Sequence, residues 1–497
     1  MRPAIAASAA RACRSCGTNA RDASEARSEA ESSQPSGVKC GSEARSEAES
    51  SQPSEDRTVA SVREDPRRAV IRHSEAAFPR GARVHENDDP WQPGPRPAWV
   101  RSLHAAVAPG WISLDPHELL EAARRETGLD DFGGDEFLTP YRIFLSACEN
   151  EARLHALGRM LVRGDVLTWL TNRLRLTDAR KRDPSITAQR IERPIFITGL
   201  PRTGTTILHE LLMLDPSNRV PLHWEVRVPC PAPEAASYAS DPRIARAEDE
   251  LQLWNHIVPE YRAMHELGAR NPVEDIQITP PTFVSDELMG RHLVPSYAAW
   301  YAGADKSIAF AFHRRFLQHL QSRHACARWV LKSPSWLGLL PVLFGEYPDA
   351  RVVITHRDPL KVLPSVVSIL YSTAFVRSDA VDAEMFKGWF SPETCRALLG
   401  AMCAFRDSGA IPREQFSDVL YANVVRDPAR AVEQIYARFG LPYSPELAAR
   451  IRDYAAAKPR GKHGTHKYDF AALGRNASEE RERFRSYQER FGVPSEG

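Results

Sequence analysis

No run in this 497-residue chain approaches the ~18 uninterrupted apolar residues that a membrane-spanning helix needs, so no transmembrane segment is expected. Charge of one sign is lacking too: 65 Lys and Arg against 64 Asp and Glu leave a formal net charge of +1 at pH 7. Such a balance provides no global field to recruit nucleic acid or an anionic membrane surface, so any anion must be held by a local cluster. The eight cysteines, Cys13, Cys16, Cys40, Cys148, Cys230, Cys326, Cys395 and Cys403, lack the regular spacing of a disulfide framework. That favours a reducing compartment and, without a secretory apolar core near Met1, the cytoplasm. Cys13 and Cys16 stand at metal-ligand spacing with no second pair nearby to complete four ligands, so no metal is expected.

An apolar pattern is also missing from residues 1–92, which are dominated by Ser, Ala, Arg and Glu. Such a segment cannot bury enough surface to offset chain entropy and is expected to be a disordered, low-complexity tail. Within it, Ser24 to Ser36 recurs as Ser42 to Ser54. Two copies of a polar tract are too few and too hydrophilic for a solenoid and read as a local duplication.

What is present begins near Pro97. Trp99, Val100, Leu103 and Val107, then Leu119, Leu120 and Ala123, and later Leu154, Leu157, Leu161, Leu167, Leu170 and Leu174 carry helical apolar spacing. Residues 93–190 are therefore expected to form a helical segment packed on the core. The period then changes. Pro194 to Gly199 is a short apolar run bounded by Pro and Gly, and similar runs occur at Trp329 to Leu331, Arg351 to Thr355 and Asp418 to Tyr421, with helical patterns between them. Strands alternating with helices predict an α/β domain over 191–497 with a parallel sheet covered on both faces.

Between the first strand and its helix lies Gly199-Leu200-Pro201-Arg202-Thr203-Gly204-Thr205-Thr206. A glycine-bearing loop at a helix N-terminus presents backbone N–H groups and partial positive charge to a phosphate. The spacing is that of a Walker A loop, but Thr205 stands where the lysine would be and Arg202 precedes it. A nucleoside-triphosphate enzyme needs that lysine on the β and γ phosphates. A phosphosulfate donor instead needs hydroxyls, N–H groups and one cation where charge develops on the bridging oxygen. Further along, the strand ending at Thr355 runs into His356-Arg357-Asp358-Pro359, with Ser365 on the following helix despite Pro364 beside it. Charge on Arg357 and a hydroxyl on Ser365 make a clamp for a second dianion. Lys458, Arg460 and Lys462 gather near the C-terminus on a Gly-punctuated loop.

Strand-GLPRTGTT-helix followed by RDPxxxxxS resembles the bacterial sulfotransferase family, which is related to the tyrosylprotein sulfotransferases. The resemblance covers Pro97 to Pro494. It implies a P-loop NTPase-like three-layer sandwich with a helical N-terminal extension, and an enzyme moving a sulfuryl group from 3′-phosphoadenosine 5′-phosphosulfate (PAPS) to a hydroxyl or amine by in-line displacement. Arg202, Thr203, Gly204, Thr205 and Thr206 would hold the 5′ side of the donor. Arg357 and Ser365, with Arg460 and Lys462 folded over them, would hold its 3′-phosphate. Lys332, in Leu331-Lys332-Ser333, matches a lysine near the sulfuryl oxygens, and Glu225, in His223-Trp224-Glu225-Val226-Arg227, matches the family's catalytic base. The ending Phe484-x-x-Tyr487-x-x-x-Phe491, with His466 and Tyr468 ahead of it, resembles that of the bacterial enzymes.

His223 competes with Glu225 because an imidazole titrates near neutrality unaided. His265 and the aromatic stretch holding Trp254, Tyr261, Phe283, Tyr297, Trp300 and Tyr301 read as an acceptor region or equally as core. The acceptor stays open, as a small molecule or a glycan. The alternatives to sulfuryl transfer are a P-loop kinase or NTPase, disfavoured by Thr205, and a noncatalytic adenosine bisphosphate-binding protein.

Overall fold

The run Ile195–Gly199 (β1) is buried at every position, as a strand covered by helices on both faces must be. A computed structural model of the chain describes Trp91 and residues 93–259, 261–264, 266–458 and 470–496. Among the described residues, β1 is central in a sheet ordered β2-β3-β1-β4-β5, where β2 is Asn218–Arg219, β3 Arg328–Lys332, β4 Arg351–His356 and β5 Phe416–Leu420. Every pairing is parallel.

Alternation along the strands divides the core in two. Phe196, Leu331, Val352 and Ile354 face one side and pack with Phe316, Leu343 and Leu363 of the helices Ser307–Gln321, Leu340–Glu346 and Pro359–Phe375. Ile195, Ile197, Val330 and Val353 face the other, against Leu208 and Val432 of the helices Thr205–Met213 and Pro428–Arg438. The result is the expected P-loop-like three-layer sandwich. Strand boundaries differ from the sequence pattern by one or two residues. β5 begins at Phe416, and Tyr421 opens the helix Tyr421–Arg426 instead of closing the strand. β2 has only two residues, too few for any periodicity to reveal.

The helical pattern ahead of β1 becomes the helices Ala98–Ala106, Pro116–Thr127, Leu138–Asn150 and Ala156–Arg182. Asp115 caps the second, accepting from the Glu118 N–H at 2.8 Å. Phe144 and Trp169 of this bundle enclose Phe283, with Tyr297 beside Phe144 and partly buried Trp300 and Tyr301 packed against the same cluster. Four of the six aromatic residues singled out from the sequence thus pack as core. Trp254 and Tyr261 meet edge to face at 5.4 Å in another cluster. No helix among the described residues is long and apolar enough to cross a membrane.

Register sets the position of the site. Ile197 is level with Lys332, and Gly199 with Thr355, so the chain leaves β1, β3 and β4 at one end of the sheet. β3 and β4 flank β1; the helix after β1 packs on one face of the sheet and the helices after β3 and β4 on the other, so the loops part at this end and leave a crevice.

Candidate active site

Close packing explains the glycines of the first loop. Gly199 has φ 149°, and a Cβ there would come 2.5 Å from the Thr355 carbonyl oxygen; at Gly204, with φ 89°, it would come 2.7 Å from the Tyr421 ring. Arg202, lying between them, is itself left-handed at φ 66°, a conformation a residue with a Cβ rarely takes. Thr203 is spent on holding the turn: its Oγ1 donates to the Leu200 carbonyl and contacts Thr355 Oγ1, each at 2.6 Å. Thr205 and Thr206 open the helix Thr205–Met213, so their N–H groups lie at its positive end.

The loop arginine joins the two motifs. Arg202 Nε donates to Ser365 Oγ at 3.0 Å and its Nη1 to the Met264 carbonyl at 3.0 Å, while its own carbonyl accepts from Arg357 Nη1 at 3.1 Å. The helix Pro359–Phe375 runs through Pro364 and delivers Ser365 to this contact. The Arg357 guanidinium lies 4.2 Å from the Tyr421 ring, the ring that packs on Gly204.

Arg357 also makes a contact that no motif announced. Its Nε and Nη2 donate to the two carboxylate oxygens of Glu496 at 2.7 and 2.8 Å, the forked geometry with which arginine takes a phosphate. The C-terminal segment is fastened here. His356 bonds Tyr487 Oη at 2.9 Å and stacks on Phe491, and the Glu496 N–H donates to Asp358 Oδ2 at 2.8 Å. An anion entering this fork must displace the carboxylate. Glu496→Gln, which removes the charge, is therefore expected to tighten binding of 3′,5′-bisphosphoadenosine by about fivefold to tenfold in calorimetry, in line with the ~1 kcal/mol of a partly exposed ion pair.

At the end of β3, Lys332 is buried, and its Nζ donates to Thr206 Oγ1 at 3.3 Å and to Glu274 Oε1 at 2.7 Å. The neighbouring Ser333 caps the turn after the strand, accepting from the Ser335 N–H at 3.2 Å. Arg202 thus contacts Ser365 and Arg357, and Lys332 contacts Thr206 of the helix that follows the same loop.

The sequence profile of the Sulfotransferase family matches residues 194–445, half of the chain. The chain belongs to the sulfotransferase family. It is similar to the solved structure of sulfotransferase STF1 from Mycobacterium tuberculosis H37Rv, with 32% identity and a TM-score of 0.65 over 76% of this chain and 99% of that one. Sulfotransferase STF9 from Mycobacterium avium matches with 25% identity and a TM-score of 0.68, covering 77% of this chain and 97% of its own. A curated relative, the omega-hydroxy-beta-dihydromenaquinone-9 sulfotransferase Stf3 of Mycobacterium bovis, is 26% identical over 285 residues, 53% of this chain and 68% of the relative. The family match runs from β1 past β5 and contains Arg202, Lys332, Arg357 and Ser365. The chain is a transferase of sulfuryl groups, and the kinase and noncatalytic alternatives fall away.

In the sulfotransferase, Glu225 is buried and paired with Arg219. Its side chain is 0% exposed and fully engaged: Oε2 accepts from Arg219 at 2.8 Å, and Oε1 from Tyr238 Oη at 3.0 Å and the Leu222 N–H at 3.1 Å. Glu225 thus neutralises a buried arginine. Burial, with Arg227 and Arg291 nearby, pushes His223 down to about 4, leaving a neutral and weakly basic imidazole at neutral pH. Of the C-terminal cations, Lys458 pairs with Glu210 and Glu266, each at 2.8 Å. Arg460, Lys462, His466, Tyr468 and His265, like Cys13 and Cys16, lie outside the described residues. Among the described residues no three His, Cys, Asp or Glu side chains gather as a metal site.

Proposed function

We propose that this sulfotransferase takes its sulfuryl group from PAPS and passes it to a hydroxyl of a small molecule, by in-line displacement and without a metal. The observation that carries this reading is the Arg202, Ser365 and Arg357 unit, in which the arginine of a phosphate loop is hydrogen-bonded to both members of a second anion clamp. A donor with phosphate groups at both ends of one adenosine fits such a pair of sites; a nucleoside triphosphate has no use for the second.

PAPS supplies a sulfuryl group on an oxygen bridging to its 5′-phosphate. The loop N–H groups and Thr206 would hold that phosphate, with Thr203 shaping the loop and Gly204 and Thr205 allowing close approach. Arg202 and Lys332 would neutralise the bridging and sulfuryl oxygens as charge grows there. Arg357 and Ser365, with Arg460 and Lys462, would take the 3′-phosphate. The name of the relative Stf3 describes an omega-hydroxylated lipid quinone, which favours a hydroxyl on a long apolar molecule over an amine or a glycan as acceptor. Scattered cysteines support the cytoplasm as its compartment.

The bisphosphate is expected to raise the melting temperature in a thermal-shift assay, while ATP with magnesium leaves it unchanged. Stabilisation by ATP alone would sink the donor assignment. Label from sulfate-labelled PAPS is expected to pass to 1-dodecanol in preference to a monosaccharide.

A further inference from the structure

Among the described residues, one carboxylate contacts the proposed sulfuryl-binding lysine. Glu274 precedes the short 3-10 helix Asp275–Ile278, and its Oε1 accepts from Lys332 Nζ at 2.7 Å, while the same ammonium donates to Thr206 Oγ1 at 3.3 Å. One lysine therefore spans from the phosphate-loop helix to this carboxylate. Exposure within the pair is uneven, 1% for the lysine side chain and 29% for the glutamate, so the carboxylate is the member that a molecule entering from solvent meets. A base must reach the proton it removes, directly or through one water. Glu274 meets a lysine at the end of β3 and is open to solvent, whereas Glu225 is buried and paired with Arg219.

We infer that Glu274, rather than Glu225, is the catalytic base of this sulfotransferase. The assignment rests on the PAPS reading above. The acceptor hydroxyl gives its proton to the Glu274 carboxylate as its oxygen bonds to sulfur. The bond from sulfur to the bridging oxygen breaks, and its electron pair stays with the 5′-phosphate. The products are a sulfate ester, 3′,5′-bisphosphoadenosine and a protonated Glu274, which returns its proton to water. Lys332 contacts both ends of this exchange. As Glu274 becomes neutral, the ammonium is released from its ion pair just when negative charge accumulates on the bridging oxygen, so proton removal and leaving-group stabilisation are coupled through one side chain.

The test compares Glu274→Gln, Glu274→Asp and Glu225→Gln in the full chain, using labelled PAPS with 1-dodecanol and with water as acceptors. Calorimetry with 3′,5′-bisphosphoadenosine and thermal melting are run on every variant. Glu274→Gln is expected to lower kcat by about 10²–10⁴-fold, the usual worth of a positioned base, with bisphosphate affinity and the KM for PAPS within about threefold of the parent. Glu274→Asp, which keeps a carboxylate, is expected to recover at least about tenfold of that loss. Glu225→Gln is expected to lower the melting temperature while leaving kcat per folded molecule within about threefold. Loss of kcat in Glu225→Gln with retention in Glu274→Gln would return the base to Glu225. A fall in bisphosphate affinity that parallels kcat in both Glu274 variants would reduce Glu274 to a support for Lys332 and overturn the assignment. Failure of the parent chain to bind the bisphosphate would remove the donor and the base together, and that result is read before any variant is made.

Discussion

Arg357→Ala is expected to weaken 3′,5′-bisphosphoadenosine binding by about 10²–10³-fold, since truncating one partner of a buried, hydrogen-bonded charge pair costs about 2–5 kcal/mol. The guanidinium is 17% exposed, lies against the Tyr421 ring and already presents two parallel N–H groups to a carboxylate. A phosphate in that fork gains a charge-assisted pair at little ordering cost, because the side chain is held before the ligand arrives. Adenosine 5′-phosphate, which lacks the 3′ group, is expected to lose only about threefold. That small loss reflects the hydrogen bond from Arg357 Nη1 to the Arg202 carbonyl, which helps hold the loop. Calorimetry with the two nucleotides separates these roles. Equal losses for both would assign Arg357 to loop support alone. Arg357→Lys is expected to recover less than half of the lost binding free energy, since an ammonium lacks the planar fork.

Asp165→Asn is expected to destabilise the fold by about 3–5 kcal/mol, the cost of leaving a buried cation without its partner. Asp165 lies on the helix Ala156–Arg182, and its two oxygens accept from Arg227 Nη1 at 3.1 Å and from Arg377 Nη2 at 2.9 Å. Arg227 keeps Glu250, at 2.9 Å, when the aspartate is neutralised. Arg377 fares worse: it is 2% exposed, and its Nε and Nη1 have no hydrogen-bond partner among the described residues. Burial disfavours the charged carboxylate, yet Arg227 and Arg377 overcome this and hold Asp165 down to about 2. Its contribution to stability is therefore complete above the ordinary carboxylate range near pH 4 and is lost as pH falls through about 2. Urea unfolding at pH 7 should show the full difference between parent and Asp165→Asn, and the gap should narrow below about pH 4. An unchanged midpoint at pH 7 would contradict the pairing. Arg377→Met in the Asp165→Asn background should restore part of the loss, because it removes the stranded charge.

The parts of the site legible in the sequence are those made by consecutive residues. Gly199, Arg202 and Gly204 were recognisable because a loop between strand and helix must supply N–H groups, tolerate positive φ and admit close neighbours within a few positions. Arg357 and Ser365 were legible for the same reason, as a strand end and the helix after it. Lys332 needed only the end of β3. The aromatic stretch was ambiguous because core and pocket draw on the same residue types, and the structure spends Phe283 and Tyr297 on packing.

Glu225 shows where local reading stops. Glu-x-Arg after the first helix specifies a carboxylate and a guanidinium but not which cation the carboxylate meets, and Arg219 of β2 reaches it first. Glu274 had no motif of its own; its relation to Lys332 arises from the folding of a connection between distant strands. Glu496 likewise meets Arg357 only because His356, Tyr487 and Phe491 fasten the last helix to the sheet. The sequence by itself determined the sulfotransferase fold and the two motifs proposed to bind the donor, because backbone geometry and contiguous side chains are enough to build an anion cradle. Only the tertiary structure decided which carboxylates stand beside the cations of the site, because an ion pair depends on distance in space, and segments far apart in the chain acquire that distance only when the core closes around the sheet.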